Sequence, residues 1–476
     1  MNMNRLARLL TLPGLISTVT AADLAPIPLG SHRELLVDDY LVERMQDVTL
    51  IMRRPEPQDL ALVCDAPWEG NTSAYFTFFR DGDLFRGYYR GTHYDEVAKK
   101  GAHREVTCYA ESRDGIAWVK PKLGLVEFNG SKENNIVLMG EGCSNFAPFK
   151  DTHPACAPES RYKALASTGD ESMRKKKPSL QAYQSADGIH WSRMREEPVI
   201  TDGSFDSQNT AFYDAARGEY RAYWRYFTGG STDEHGWKPS GVRAIRTATS
   251  KDFLHWENQA DLQYGGAPAE HLYTNAVRPY ARAPHLLLGF PTRYQPKHEQ
   301  VEPVFMTSRD GVHFNRWPNP LIPITAPKDR DGNRSNYMTT GVLQLPGHND
   351  ELSVYATEAY YKGPGSRVRR FTFRLDGFVS ASASHHGTLV TKPFTFDGSR
   401  LSLNVVSRGD SRVAVLDADE KPVPGFAIED CASVKGDFTD HTVSWKGGSL
   451  ATLAGKTVRL FFDLQQADLY SLKFVP

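Results

Sequence analysis

Short apolar runs broken by turn residues fill this chain, and no long helical pattern interrupts them. Runs of this length and aromatic content read as strands. They come in groups. Residues 73–79 and 84–90 form one pair, joined by Arg80-Asp-Gly-Asp83. Similar pairs lie at 145–150 and 162–167, at 210–213 and 220–227, and at 274–280 and 285–290. A fifth group holds 337–345, 351–361 and 368–375. After Phe378 the pattern changes to short alternating strands at 387–394, 400–406, 412–416, 442–445, 458–464 and 469–474.

A motif punctuates the first four groups. It reads Glu111-Ser-Arg-Asp-Gly-Ile-Ala-Trp118, Gln184-Ser-Ala-Asp-Gly-Ile-His-Trp191, Thr249-Ser-Lys-Asp-Phe-Leu-His-Trp256 and Thr307-Ser-Arg-Asp-Gly-Val-His-Phe314. The serines stand at 112, 185, 250 and 308, in steps of 73, 65 and 58 residues. Ser and Asp cap a tight turn, Gly accepts a positive φ, and the aromatic packs back from the next strand. The motif is structural, and no catalysis is placed on it. A diverged fifth copy is Arg374-Leu-Asp-Gly-Phe378. Units of about four strands repeated in this way stack as blades. The expected fold is all-β: a five-bladed β-propeller over residues 23–378, followed by a C-terminal β-sandwich over 379–476. Closure of the ring is expected from the segment 35–41, or from the strand near Val368, pairing with the other end of the chain.

The chain has 476 residues, enough for two such domains, and a net charge of −1. That balance offers no excess positive charge for nucleic acid or an anionic membrane. Arg5 and Arg8 precede a modest apolar stretch over 9–19 and the small residues Thr20-Ala-Ala22. Residues 1–22 are expected to be a signal peptide, which implies a secreted or periplasmic protein. No other apolar run is long enough to span a bilayer. The five cysteines include no Cys-x-x-Cys pair, and Cys143 with Cys156 is the candidate disulfide. No cofactor or metal is expected. Asp329-Arg-Asp-Gly-Asn333 begins like a calcium loop but has its Gly misplaced and no closing Glu.

With these turns, five units and the trailing sandwich, the chain resembles the invertase–levanase–arabinanase group of glycoside hydrolases, and within it the family-32-like proteins. The strings Trp-Met-Asn-Asp-Pro-Asn-Gly, Arg-Asp-Pro and Glu-Cys of true invertases are absent. The resemblance implies a carbohydrate substrate and three carboxylates carried on inner strands, the third tuning the acid or holding the sugar.

Glycoside hydrolysis needs one carboxyl group as proton donor and another as nucleophile or base. Inner strands of different blades meet at the propeller axis, so the candidates are acids just ahead of those strands. They are Glu69, Asp206 and Glu270. The expectation makes Glu270 the acid, Glu69 the base or nucleophile, and Asp206 the residue that orients the sugar or tunes the acid. Asp38, Asp39 and Asp331 stand next in line. Trp68, Asn71, Asn145, Gln208, Asn209, His271, Tyr273, Asn275 and Tyr337 lie at the same strand starts and are expected to bind substrate, amides reading hydroxyls and rings stacking on sugar faces. Arg225, Arg243, Arg246, Arg278 and Arg293 suit an anionic sugar or, more simply, ion pairs between blades. Two other functions fit the pattern: a non-catalytic carbohydrate-binding propeller, and a sialidase-like hydrolase with a tyrosine nucleophile. Asp417, Asp419 and Asp430 in the C-terminal region sit in turn contexts and are not expected to be catalytic.

Overall fold

A computed structural model describes residues 25–168, 179–232, 238–324 and 335–476. The expected signal peptide over 1–22, together with Asp329 and Asp331, lies outside the described residues. No helix among the described residues is long and apolar enough to cross a membrane.

The described chain is all-β and builds a five-bladed propeller. From the axis outwards, the first blade runs Ala74–Asp81, Leu84–Gly91, Val106–Ser112, Ile136–Met139. The second runs Ser144–Lys150, Tyr162–Ser167, Leu180–Ser185, Ser192–Arg193. The third runs Thr210–Asp214, Glu219–Ser231, Lys238–Ser250, Trp256–Asp261. The fourth runs Arg278–Tyr280, Ala283–Gly289, Met306–Ser308, Phe314–Arg316. In the fifth, Met338 and Leu343 bridge to Glu351–Glu358 from the inside. Arg367–Arg374 follows, and the outermost strand is Glu56–Val63 from the other end of the chain. The ring therefore closes through the strand that holds Val368, which pairs with Leu62.

The repeated turns have one hydrogen-bond plan. Ser Oγ accepts from the backbone three residues on, at 2.9 Å in all four copies. Asp Oδ1 accepts from the next two amides after that turn position, at 2.8–2.9 Å. Each Trp indole donates back to the turn carbonyl. The turns also bind the blades to one another. Tyr88 of the first blade donates to the Gly188 carbonyl at 2.8 Å, and Tyr223 of the third to Gly311 at 2.9 Å. Tyr355 of the fifth donates to Gly115. In the third copy the Gly is replaced by Phe253, at φ 71°. The matching tyrosine position on the second blade is there Leu165, and both residues sit in one apolar core.

These turns follow the third strand of each blade. In an antiparallel blade that places them at one end of the propeller. The starts of the first strands and the ends of the second strands then share the opposite end.

The strands within residues 27–52 pair with none of the propeller strands. Arg33–Leu35 pairs with Arg459–Val475, and Val42–Gln46 and Thr49–Met52 both pair with Val379–Thr391. They join Arg400–Leu416 and Val434–Thr442 in a seven-stranded sheet around its own apolar core. The segment 35–41 is thus attached to the C-terminal sheet instead of completing a blade, and the pairing of the propeller range expected over 23–378 begins at Glu56. Two expected strand pairs are single strands of 17 residues, Arg400–Leu416 and Arg459–Val475. The polar stretch Ser407–Ser411 reads as a turn in sequence but is a bulge in the ladder. Buried Asp376 ties sheet to propeller, pairing with Arg33 at 3.2 Å and with Arg282 at 2.8 Å. No disulfide joins Cys143 to Cys156. The Cys143 thiol donates to the Glu105 carbonyl at 3.2 Å, and Cys156 Sγ lies 3.5 Å from Lys163 Nζ.

Candidate active site

Bulges shape the open end of the channel. Tyr75, Asn145 and Ala276, near the starts of inner strands, have φ of 61°, 56° and 44°. The ladder to the second strand breaks at Ala74/Thr77 in the first blade and at Ser144/Ala147 in the second. A bulge re-aims the side chain it carries. Asn tolerates this conformation, but for a bulky Tyr it costs on the order of 1–3 kcal/mol. Packing holds Tyr75 there: the Arg90 guanidinium lies 4.7 Å from its ring centre, and the Tyr337 ring meets it edge-on at 5.6 Å.

The mouth encloses a cavity of about 1010 Å³ whose walls include Arg243, Tyr273, Tyr294, Tyr337, Tyr360 and Tyr361. A neighbouring cavity of about 500 Å³ shares Tyr294 and His298 and is lined by Glu270 and His271. Burial first, then neighbouring phenols, push the Tyr75 and Tyr337 hydroxyls well above the ordinary tyrosine range. Burial likewise lifts Tyr360 to about 12. These phenols stay protonated and act as donors.

The expected binding residues divide into three groups. Tyr273 and Tyr337 line the larger cavity and His271 the smaller. Burial, with Arg243 beside it, lowers the His271 imidazole below its usual value, so it is neutral near pH 7. Asn145 sits at the rim and accepts from Arg90 at 3.4 Å. Gln208, Asn209 and Asn275 instead hold the floor together. Gln208 donates to the Tyr75 and Phe76 carbonyls at 3.2 and 3.0 Å and to Thr77 Oγ1 at 2.9 Å, bridging the third blade to the first. Asn275 accepts from Thr210 at 2.7 Å and donates to the Gln208 carbonyl at 3.2 Å. Asn209 donates to the Phe205 and Ser207 carbonyls. Trp68 and Asn71 serve the walls. Trp68 donates to Asn135 at 2.7 Å, and Asn71 clasps both backbone groups of Tyr94.

The structure does not bring the three carboxylates into one pocket. The Glu69 side chain is 0% exposed. It accepts from Lys120 at 2.7 Å, from the Ala66 amide at 3.0 Å and from the Tyr89 hydroxyl. It lines neither cavity. Glu270, 25% exposed, lies on the smaller cavity and is gripped by Arg293 at 2.9 Å and by Arg316. Asp206 is the open one, at 63% exposed, and pairs with Arg225 on one side only. Of the next candidates, Asp38 pairs with Arg309, which belongs to a repeat turn at the far end of the propeller.

Of the five arginines singled out, Arg246 is matched by Asp202 and Asp261, and Arg293 by Glu270 and Glu302. Arg278 lies deeper, against Phe149 and Phe212. Arg225 and Arg243 remain at the mouth, stacked 4.4 and 5.5 Å from the Tyr273 ring centre. Arg90, which also donates to the Tyr360 hydroxyl at 3.2 Å, completes the group and escapes a search of inner-strand starts. So do Tyr294, Tyr360 and Tyr361. The available signal was strand polarity: Arg90 and Arg225 sit near the mouth ends of second strands, and Tyr360 just follows one.

No family model matches the chain, and no curated protein sequence is similar to it. Solved structures of similar fold include a β-1,2-mannobiose phosphorylase from Listeria innocua in complex with β-1,2-mannobiose, 11% identical, covering 67% of this chain and 96% of that one at a TM-score of 0.47. An endo-arabinase from Bacteroides thetaiotaomicron is 9% identical, with 67% and 99% covered and a TM-score of 0.42. A family 32 β-fructofuranosidase from Bombyx mori is 8% identical, with 88% and 95% covered and a TM-score of 0.42.

Proposed function

We propose that this protein acts on saccharides, as a glycosidase whose substrate seats in the mouth of the propeller. The observation that carries this reading is the large tyrosine-walled cavity at the mouth end, lined by residues of the third, fourth and fifth blades and their loops. Flat rings stack on apolar sugar faces, and protonated phenols donate to ring and hydroxyl oxygens. Asp206, the most exposed of the three carboxylates, pairs with Arg225, which stacks on the wall residue Tyr273; its role is nucleophile or base at the scissile bond. Glu270 is tied to two guanidiniums and positions that wall. Glu69 is structural.

A second reading, a non-catalytic carbohydrate-binding propeller, is favoured by one fact: each of the three carboxylates already faces a cation. Turnover separates the two. The full-length protein is to be screened on aryl glycosides and on plant and algal oligosaccharides, and then Asp206→Asn and Glu69→Gln are compared on whatever is cleaved. Loss of an essential base or nucleophile lowers kcat/KM by about 10²–10⁴-fold. That loss is expected for Asp206→Asn and not for a folded Glu69→Gln. Near-normal turnover by Asp206→Asn removes Asp206 from the mechanism. Binding without any turnover selects the second reading.

A further inference from the structure

Most buried arginines of the blades face acids; among the described residues the exceptions are Arg278, deep against Phe149 and Phe212, and the arginines of the mouth. Arg293 meets two carboxylates, as does Arg246. At the mouth, Arg90 has only Glu105, 3.6 Å away and itself part-exposed. Arg225 has only Asp206, which faces solvent. Among the described residues no carboxylate lies within ion-pair distance of Arg243, whose side chain touches His271 Nδ1 at 3.5 Å and the rings of Phe227, Tyr273 and Tyr294.

The donors of this trio are also under-used. Arg90 Nε, Arg243 Nε, and both Nε and Nη1 of Arg225 are buried without a hydrogen-bond partner, as is Asn145 Nδ2 beside them. A buried donor left unpaired costs about 1–3 kcal/mol, and clusters of them are uncommon in native proteins. The Arg225 side chain is 3% exposed and Arg90's is 10%. Two buried guanidiniums and the half-buried one of Arg243, all stacked on phenol rings, are stiff. Their planar forks suit a planar or tetrahedral oxyanion.

We propose that the sugar bound at the mouth carries an acidic group, a carboxylate or a sulfate ester, received between Arg243 and the Arg90–Arg225 pair. This rests on the saccharide reading of the mouth and names the substrate class. Tyr273, stacked against both Arg225 and Arg243, fixes their spacing. The acid group supplies the counter-charge that Arg243 lacks among the described residues.

The test is calorimetric titration of the full-length protein with matched pairs: oligogalacturonides against their methyl esters, sulfated against desulfated galactan oligosaccharides, and neutral arabino-, fructo- and manno-oligosaccharides. One acidic member is expected to bind at least about tenfold more tightly than its neutral counterpart, with affinity falling as salt rises. The pair that shows the difference tells carboxylate from sulfate. Arg243→Gln should abolish the difference, and Arg243→Lys should keep part of it, because Lys retains charge but not the fork. Arg243 holds no ion pair among the described residues, so both variants are expected to fold with an unchanged Tm. Equal binding of acidic and neutral partners overturns the acidic-sugar inference and leaves the saccharide reading standing. Failure of every oligosaccharide to bind at millimolar concentration overturns both.

Discussion

Glu69 and Asp206 share one sequence context, an acid a few residues ahead of an inner strand, yet they end in opposite surroundings. The Glu69 carboxylate turns back under Tyr89 and Lys120, while that of Asp206 turns outward. A linear pattern gives the phase of a strand but not the path of the loop before it, so both acids look alike in sequence. Breaking a buried ion pair from one side costs about 3–5 kcal/mol. Glu69→Ala is therefore expected to lower stability by that order, seen as a shift of the denaturant midpoint, while sugar affinity of the folded fraction stays unchanged. A drop in affinity without a drop in stability would return Glu69 to the site. Tyr75 is the other residue hidden from sequence, because nothing in Ala74-Tyr75-Phe76 announces a positive φ. Tyr75→Phe keeps the ring between Arg90 and Tyr337 and should leave stability within about 0.5 kcal/mol. Tyr75→Gly relaxes the backbone but removes the face on which Arg90 stacks, and should weaken sugar binding more than it weakens the fold.

At the scale of the element, the repeated turn was fully legible, since Ser, Asp, Gly and the aromatic are each required by local hydrogen bonding. Its exception is informative. Where Phe253 replaces Gly, the neighbouring blade offers Leu165 instead of the tyrosine that docks on the other turns. Phe253→Gly alone should cost about 3 kcal/mol through the cavity it leaves. Leu165→Tyr alone should cost about 1–3 kcal/mol by overpacking. Together they should recover about half of the summed loss, because the new phenol can reach the turn carbonyl. Thermal denaturation of the three variants checks this, and simple additivity would contradict the pairing. The turn aspartates also set an acid limb. Burial alone would raise the Asp310 carboxyl, but hydrogen bonds from the Val312 amide and from the His313 ring and amide outweigh it and hold it at about 2, below its usual 3.8. Asp114, Asp187 and Asp252 are lowered in the same way. A depressed carboxyl contributes stability above its unfolded value and loses it as pH falls through the folded one. Stability should hold above about pH 4 and fall towards pH 2, less steeply in Asp310→Asn, as urea midpoints across that range will show. The C-terminal strands were less legible. A polar bulge at Ser407–Ser411 and a left-handed Gln466 carry the same residue types as turns, and only the long-range ladder distinguishes them.

For the whole molecule, five units and an all-β fold follow from the repeat, but the knitting of the two ends does not. Glu56–Val63 closes the fifth blade, and strands within 33–52 enter the C-terminal sheet. Such pairings join residues hundreds of positions apart and leave only a strand propensity in sequence. The consequence is a single interdependent structure. A chain lacking residues 25–63 loses the outer strand of one blade and three strands of the sheet, and should show neither a cooperative melt nor protected amides. The isolated fragment 379–476 should be unfolded by the same argument, and a cooperative melt of that fragment would show instead that the sheet is autonomous. Among the described residues, the mouth of the propeller joins a tyrosine-walled cavity to arginines short of acids, with the exposed Asp206 beside Arg225. The most direct test of that account is a crystal structure of the full-length protein soaked with the tightest-binding oligosaccharide from the titrations. The account predicts sugar density in the mouth, with a ring stacked on Tyr273, Tyr337 or Tyr360 and a hydroxyl or acid group within reach of Arg243 and Asp206. Sugar bound on the C-terminal sheet or on the turn face, with the mouth empty, would contradict it.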